Sequence, residues 1–321
     1  MRTLKDTISQ ITLPTPYAVG DVHIYLLKGD RLSLVDAGVK TEEAWTVLKE
    51  RLKELGYAPE DIEQVILTHH HPDHMGLIER FPKLDSIIAH PKLKPWLERE
   101  EEYLQRYERF FKAMYIESGV PERFLPMLKG LRKSLKWSAR GTLTGTLQEG
   151  DTLPGHDNWK ALETPGHAQS HLSFLREADG AFIGGDLLLS HISSNPLLEP
   201  GFCDGDPRPR PLLQYRESLE RLLDLPITSI YPGHGKIFDG HVPLIKERLE
   251  KQEKRARKVK EMVREVPLTA YEVCERLFPK QVESQLGLTM SESIGQLDYL
   301  EHHGDVKTQV TEGRKRYVVE E

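Results

Sequence analysis

The chain has few cysteines, no long apolar run and no large excess of charge. Cys203 and Cys274 are the only cysteines among 321 residues, which excludes a disulfide-stapled framework and favours a reducing compartment. No apolar stretch is long enough to cross a bilayer, and residues 1–6 lack the apolar segment of a secretory signal. With a net charge of −6, the protein has no overall electrostatic attraction to nucleic acid or to an anionic membrane. We therefore expect a cytoplasmic protein without membrane attachment.

Short apolar strands alternate with helical patterns over residues 1–240, the first of two predicted domains. A helix is expected after Thr41, which can cap it, and should end before Gly56. The predicted strands are His23–Leu27, Leu32–Val35, Val65–Leu67, Ser86–Ala89, Trp159–Glu163, Leu172–Leu175, Ala181–Gly184 and Thr228–Tyr231. Mixed strands and helices in this order predict an α/β sandwich.

Residues 92–140 interrupt this alternation with amphipathic helical patterns rich in aromatic side chains. Two interpretations stay open. Most of these rings are expected to pack into a small helical core of their own. Because the segment follows closely on a polar loop, a few rings could instead form a lid and an apolar wall over a substrate cleft.

The second predicted domain, residues 241–321, begins with a charged helix at 244–265 that carries nine Lys/Arg and five Glu. Two helical patterns at Thr269–Phe278 and Ser291–His302 follow, and then two short strands around Glu312, an order that resembles a winged helix. From residue 268 onwards there are six Lys/Arg and ten Asp/Glu, a poor composition for reading DNA. We expect no sequence-specific DNA binding, and the tail is predicted to pack or to form a homodimer.

The strongest signal is the run His69-His70-His71-Pro72-Asp73-His74 directly after an apolar strand. It fits the pattern His-x-His-x-Asp-His, and imidazole and carboxylate ligands suit zinc or iron. Three further strands end in a possible ligand: His167, Asp186 and His234. Each of these is weak alone, but together they supply five histidines and two aspartates, enough for two cations bridged by a carboxylate.

These pieces resemble the metallo-β-lactamase superfamily. The matching segments, in the family's order, are 34–38, 68–76, 164–167, 185–186 and 232–235. The resemblance implies an αββα sandwich whose ligands lie on loops at one edge. His69, His71 and His167 would hold one metal and Asp73, His74 and His234 the other. Asp186 would bridge the two divalent ions, and Asp73 and Asp186 are the expected catalytic carboxylates.

The same resemblance implies a dinuclear hydrolase whose nucleophile is a metal-bridging hydroxide. Zinc is expected, with iron and manganese as alternatives. Asp36 would support the ligands from outside. His171 is expected to be a hydrogen-bonding support, and His191 either contacts substrate or belongs to the loop structure. The chain departs from many relatives at Ala168, where they have Thr, and at His23, where they have Asn.

Two substrate classes follow. The aromatic insertion favours a small acyl substrate, namely a thioester, lactone or ester, as in glyoxalase-II-type hydrolases. The charged helix and the tail resemble those of β-lactamase-like endoribonucleases, which makes single-stranded RNA the alternative substrate. The acidic tail weighs against RNA, so a small molecule is the expected partner.

Overall fold

The computed structural model describes residues 7–319, apart from the side chains of Lys129 and Leu131. The predicted lack of a signal segment at residues 1–6 and the extreme ends of both predicted domains lie outside this range. The strands are β1 Thr7–Leu13, β2 Val22–Lys28, β3 Leu32–Val35, β4 Gln64–Ile66, β5 Ser86–Ala89, β6 Gly145–Thr146, β7 Thr152–Leu153, β8 His156–Glu163, β9 Leu172–Arg176, β10 Ala181–Gly185, β11 Ser229–Pro232, β12 Leu268–Thr269, β13 Val306–Thr311 and β14 Arg314–Val319. The helices are α1 Glu42–Glu54, α2 Pro72–Met75, α3 Lys94–Leu97, α4 Glu101–Glu117, α5 Gly130–Ser134, α6 Pro211–Leu222, α7 His241–Glu265, α8 Ala270–Leu277 and α9 Leu286–His302.

Two sheets face each other. The first has the order β1-β2-β3-β4-β5-β6, antiparallel as far as β3 and parallel from there on. The second has the order β11-β10-β9-β8-β7, with β10 and β11 parallel and the other neighbours antiparallel. The loops that follow β4, β8, β10 and β11 include the predicted ligand positions.

The alternation of side chains along each strand builds the layers. In β2, Ile24 and Leu26 join the core beneath α1, whereas Tyr25 and Leu27 join the core between the two sheets. On the outer face of the second sheet, side chains of β10 and β11 pack against α6 and the start of α7. The layers are therefore helix, sheet, sheet and helix, as the sequence predicts. The cap of α1 is also as predicted, since Thr41 Oγ1 accepts a hydrogen bond from Ala44 N at 3.1 Å.

The aromatic rings of residues 92–140 are divided among three cores, and Trp137 packs against the core beneath α1. Trp96 and Tyr103 pack in a small cluster within the segment. Phe111, Tyr115 and Phe124 instead share a core with α7, α8 and α9. The expectation that the insertion packs its own core is therefore wrong for the second group, because the C-terminal helices cover that face of α4.

The C-terminal elements follow the predicted order, and their sheet has the strand order β12-β14-β13. The helix α9 begins at Leu286, five residues before its predicted start. The first turns of α7 pack on the second sheet through Ile245, and its later turns pack on α8 and α9 through Val259 and Val263. A domain boundary at residue 240 and a winged-helix identity stay predictions. Within residues 7–319, no helix combines the length and apolar character that crossing a membrane requires.

Candidate metal centre

The seven predicted metal ligands meet at one edge of the two sheets. Their ligand atoms form three overlapping groups, and within each group the atoms lie within 4.8 Å of one another. The first group is His69 with His71 and His167, the second is Asp73 with His74 and His234, and the third, His69 with His74 and Asp186, joins these two. Four separate loops contribute to them, so the fold itself assembles the site.

In the first group three ring nitrogens converge. His71 Nδ1 lies 2.9 Å from His69 Nε2 and 2.9 Å from His167 Nε2. His69 Nδ1 faces Thr68 Oγ1 at 2.9 Å. Because that hydroxyl donates its own proton to Asp36, its oxygen must accept the hydrogen bond from His69 Nδ1. His167 Nδ1 faces the carbonyl oxygen of Asn195 at 3.0 Å and must donate to it. Both inward nitrogens therefore present lone pairs to His71, an arrangement that a cation between them would satisfy.

The second group is oriented in the same way. His74 Nδ1 lies 2.8 Å from Asp36 Oδ2, and His234 Nδ1 lies 2.7 Å from the carbonyl oxygen of Asp21. When the rings are neutral, their Nε2 atoms consequently point inwards as acceptors. His234 Nε2 lies 3.4 Å from Asp73 Oδ2, and His74 Nε2 is buried without a hydrogen-bond partner among the described residues. These acceptors and carboxylate oxygens fit a second cation.

Asp186 stands between the two groups. Its Oδ2 is 3.5 Å from Nε2 of His74, of His167 and of His234, and its buried Oδ1 has no hydrogen-bond partner in residues 7–319. The close approach depends on Gly233, where a Cβ atom would stand 2.1 Å from Asp186 Oδ1. A carboxylate in this position fits a bridging role.

Burial and charge set the protonation of these groups. Burial lowers the pKa of His69, His71 and His167, which keeps their rings neutral and able to ligate. Burial acts in the same direction on His234, but Asp186 and Asp73 outweigh it and raise its pKa to about 10. A cation bound at the second group would therefore have to displace this proton from His234.

Asp36 and His171 contact the ligands from outside. Asp36 has the left-handed φ of 65°, and its carboxylate accepts hydrogen bonds from Thr68 N, Thr68 Oγ1 and His74 Nδ1. His171 Nε2 accepts from Asp186 N at 3.1 Å, and its Nδ1 lies 2.8 Å from Thr164 Oγ1. One residue thus fixes the loop after β4, and the other fixes the aspartate between the two groups.

Three other histidines near the centre have different surroundings. His70 stacks on Trp96 with ring centroids 4.4 Å apart and contacts Ser170 Oγ at 2.9 Å, which ties the metal loop to the insertion. His23 contacts the carbonyl oxygen of Gly235 beside His234. His191 is exposed and lies against the same turn, and it is not among the residues that line the cleft. Substrate contact by His191 stays a prediction.

A cleft of about 670 Å³ opens over the centre. Its apolar walls come from the loop before β2, from the loop after β10 and from the start of α9, through Val19, Leu189, Ile192, Leu197 and Leu288. The insertion contributes Ser134 to the lining and none of its described aromatic rings. The expectation of an aromatic wall from residues 92–140 is therefore wrong, because those rings pack in the three cores described above.

Sequence reasoning missed Tyr17, whose ring lines this cleft. Its hydroxyl is buried and has no hydrogen-bond partner among the described residues. Burial first, and the nearby Asp73 second, raise the pKa of Tyr17, so the hydroxyl keeps its proton and remains a donor. No motif marks this position, which lies in the loop between β1 and β2.

The comparisons with known proteins agree with this geometry. The family model of the metallo-beta-lactamase superfamily matches residues 17–234. The probable metallo-hydrolase YqjP of Bacillus subtilis (strain 168) is 43% identical over 299 residues, which cover 93% of each chain. The crystal structure of the metallo-beta-lactamase family protein TTHA1429 from Thermus thermophilus superposes with a TM-score of 0.82 at 27% identity and covers 98% of both chains.

Shorter matches carry more specific names. The atrochrysone carboxyl ACP thioesterase of Aspergillus fumigatus is 27% identical over 149 residues, 44% of this chain and 41% of that protein. The N-acyl homoserine lactonase AttM of Agrobacterium fabrum is 29% identical over 126 residues, 39% of this chain and 40% of that protein.

Proposed function

The chain belongs to the metallo-beta-lactamase superfamily and is a metal-dependent hydrolase, and we propose that it uses two cations to cleave a small acyl substrate, namely a thioester, lactone or ester. The observation that carries the proposal is the convergence of the seven ligands beneath an apolar cleft. The partial relatives that are named as a thioesterase and a lactonase support the acyl class.

The donor set suits two cations. His69, His71 and His167 would hold the first, Asp73, His74 and His234 the second, and Asp186 both. Divalent ions held there would polarise a carbonyl and lower the pKa of water to about 7. We propose zinc, since imidazole and carboxylate ligands suit it, and metal analysis would distinguish it from iron or manganese.

The walls of the cleft favour an acyl substrate. Apolar side chains surround the approach to the ligands, and no Lys or Arg occurs among the described residues that line it. An acyl chain can be buried against such walls, whereas a polyanion needs cations along its path. Tyr17 is the neutral donor that could bind the carbonyl oxygen or the leaving group.

The basic residues of α7 give little support to RNA. Lys251, Lys254 and Arg264 form ion pairs with glutamates of α7 itself. Arg255 and Lys260 form ion pairs with Glu292 and Asp305. These partners neutralise five of the nine Lys and Arg side chains of the helix, which leaves fewer free cations for phosphates.

Parallel assays test the proposal. Purified protein is analysed for metal and assayed for thiol release from acyl thioesters, for lactone opening and for cleavage of a fluorogenic single-stranded RNA. We expect about two transition-metal ions per chain and turnover of at least one acyl substrate, with both reduced in His69→Ala. RNA cleavage that strengthens as salt falls, without acyl turnover, would contradict the proposal. A cytoplasmic location and a small-molecule partner stay predictions.

A further inference from the structure

A second cavity, of about 320 Å³, adjoins the metal cleft. It lies between the loop after β10 and the C-terminal helices. Ser193, Ser194, Asn195 and Leu288 line both cavities. A molecule whose reacting group sits at the metal ligands therefore has to extend only past these four shared residues to reach the second cavity.

The second cavity is lined by side-chain amides. Asn195, Gln281 and Gln285 contribute them, and Thr289 adds a hydroxyl. Gln281 and Gln285 are exposed, and neither side chain has a hydrogen-bond partner among residues 7–319. Their amides are therefore available both to donate and to accept hydrogen bonds.

The charges at this cavity are already paired. Arg255 Nη1 lies 2.5 Å from Glu292 Oε1, and the same oxygen accepts a hydrogen bond from Gln296 Nε2 at 3.0 Å. A guanidinium held by a carboxylate offers little to a phosphate or a carboxylate ligand. The cavity therefore suits a neutral group with several donors and acceptors, which is what an amide is.

The shared wall also contacts the metal centre. Ser194 Oγ lies 2.8 Å from His167 Nδ1, and Asn195 O lies 3.0 Å from the same atom. Asn195 Nδ2 donates to the carbonyl oxygen of Leu288 at 3.2 Å, which joins the wall to α9. The position of the amide-lined cavity relative to the ligands is thus fixed by hydrogen bonds on both sides.

We propose that this cavity binds the thiol portion of a thioester substrate, a flexible arm that carries amide groups in the manner of pantetheine. The inference rests on the proposed function and specifies its substrate. The acyl chain lies along the apolar walls, and the amides of the thiol arm bind Gln281 and Gln285. Water forms the new C–O bond, the C–S bond breaks, and the products are a carboxylate, a thiol and a proton. A thiol has a pKa of about 8.5, so its thiolate leaves without a dedicated acid.

The test compares two thioesters with the same hexanoyl group in the metal-loaded protein. One thiol is pantetheine, and the other is 2-(2-methoxyethoxy)ethanethiol, which has ether oxygens and no amide. We expect kcat/KM to be at least tenfold higher for the pantetheine thioester. Gln281→Leu and Gln285→Leu should each lower that value roughly fivefold, the usual effect of one lost hydrogen bond, and leave the ether thioester unchanged. Gln309→Leu on the exposed strand β13 is the matched control and should change neither.

The outcomes are distinguishable. Equal kcat/KM values for both thioesters, unchanged in the two variants, would overturn the assignment of this cavity while the hydrolase proposal stands. An absence of turnover on thioesters, lactones and esters alike would overturn the proposed function and this inference with it. Equal losses on both thioesters in the glutamine variants would show a structural effect and would also contradict amide recognition.

Discussion

Replacement of Asp36 by Asn is expected to weaken metal binding without unfolding the chain. Asp36 has a left-handed backbone conformation that Asn also tolerates, so the turn after β3 should persist. The carboxylate accepts three hydrogen bonds, at 2.7 Å from Thr68 N and at 2.8 Å from both Thr68 Oγ1 and His74 Nδ1. An amide has one oxygen, so it cannot accept all three.

The consequence falls on His74. If the amide oxygen keeps the bond from Thr68 N, the new NH₂ group faces His74 Nδ1, which must then accept. The His74 proton moves to Nε2, the atom that points at Asp186. In the opposite orientation, the NH₂ group faces the Thr68 N–H and two donors oppose each other. A hydrogen bond to a charged group contributes about 1.5–3 kcal/mol, so we expect metal affinity to fall roughly 10- to 100-fold.

Competition against a chromophoric chelator for Zn²⁺ measures this loss, and circular dichroism checks the fold. Asp151→Asn is the matched control, because Asp151 accepts a hydrogen bond from Gln148 N at 2.8 Å in an exposed turn. The control should keep the affinity of the unmodified protein. Equal affinity in a correctly folded Asp36→Asn protein would refute the argument that Asp36 fixes the tautomer of His74.

Three further predictions concern single side chains. Burial raises the pKa of Glu199 to about 7, so the folded state holds its proton more tightly than the unfolded state; the resulting stability is complete below about pH 4.5, and roughly 3 kcal/mol is lost as pH rises through 7. Urea unfolding should show this slope between pH 4.5 and 7, and a slope unchanged in Glu199→Gln would contradict it. Tyr17→Phe should lower kcat on a lactone or ester about 100-fold at unchanged metal content, and an unchanged kcat would remove Tyr17 from the reaction. Trp96→Ala should lower the free energy of unfolding by about 3–5 kcal/mol, since it deletes a buried ring that stacks on His70; a change below about 1 kcal/mol would show that the stack contributes little.

The metal centre was predictable because its ligands lie in short motifs at strand ends. The run from His69 to His74 carries four of them within six residues, and parallel strands bring their following loops to one edge of a sheet. The core strands were predictable for a related reason, since their runs of buried apolar side chains differ from the flanking turns. The edge strand β1 was missed, because Thr7, Ser9 and Gln10 leave it only partly buried.

The cleft walls were not predictable from the sequence. Leu288 reaches the metal cleft from α9, more than fifty residues beyond His234, and no local pattern indicates that contact. The aromatic pattern of residues 92–140 showed correctly that α4 has an apolar face. It could not show what covers that face, and the covering elements are the C-terminal helices.

The core that α4 shares with α7, α8 and α9 has a consequence for truncated forms of this enzyme. A chain cut after residue 265 would lose α8 and α9 and so uncover part of the apolar face that carries Phe111, Tyr115 and Phe124, and contiguous apolar surface of this kind promotes aggregation. It would also remove Leu288 from the mouth of the cleft. The residues after 265 therefore belong structurally to the catalytic domain. A form of the protein without them would need other side chains to cover the outer face of α4 and to complete one side of the cleft.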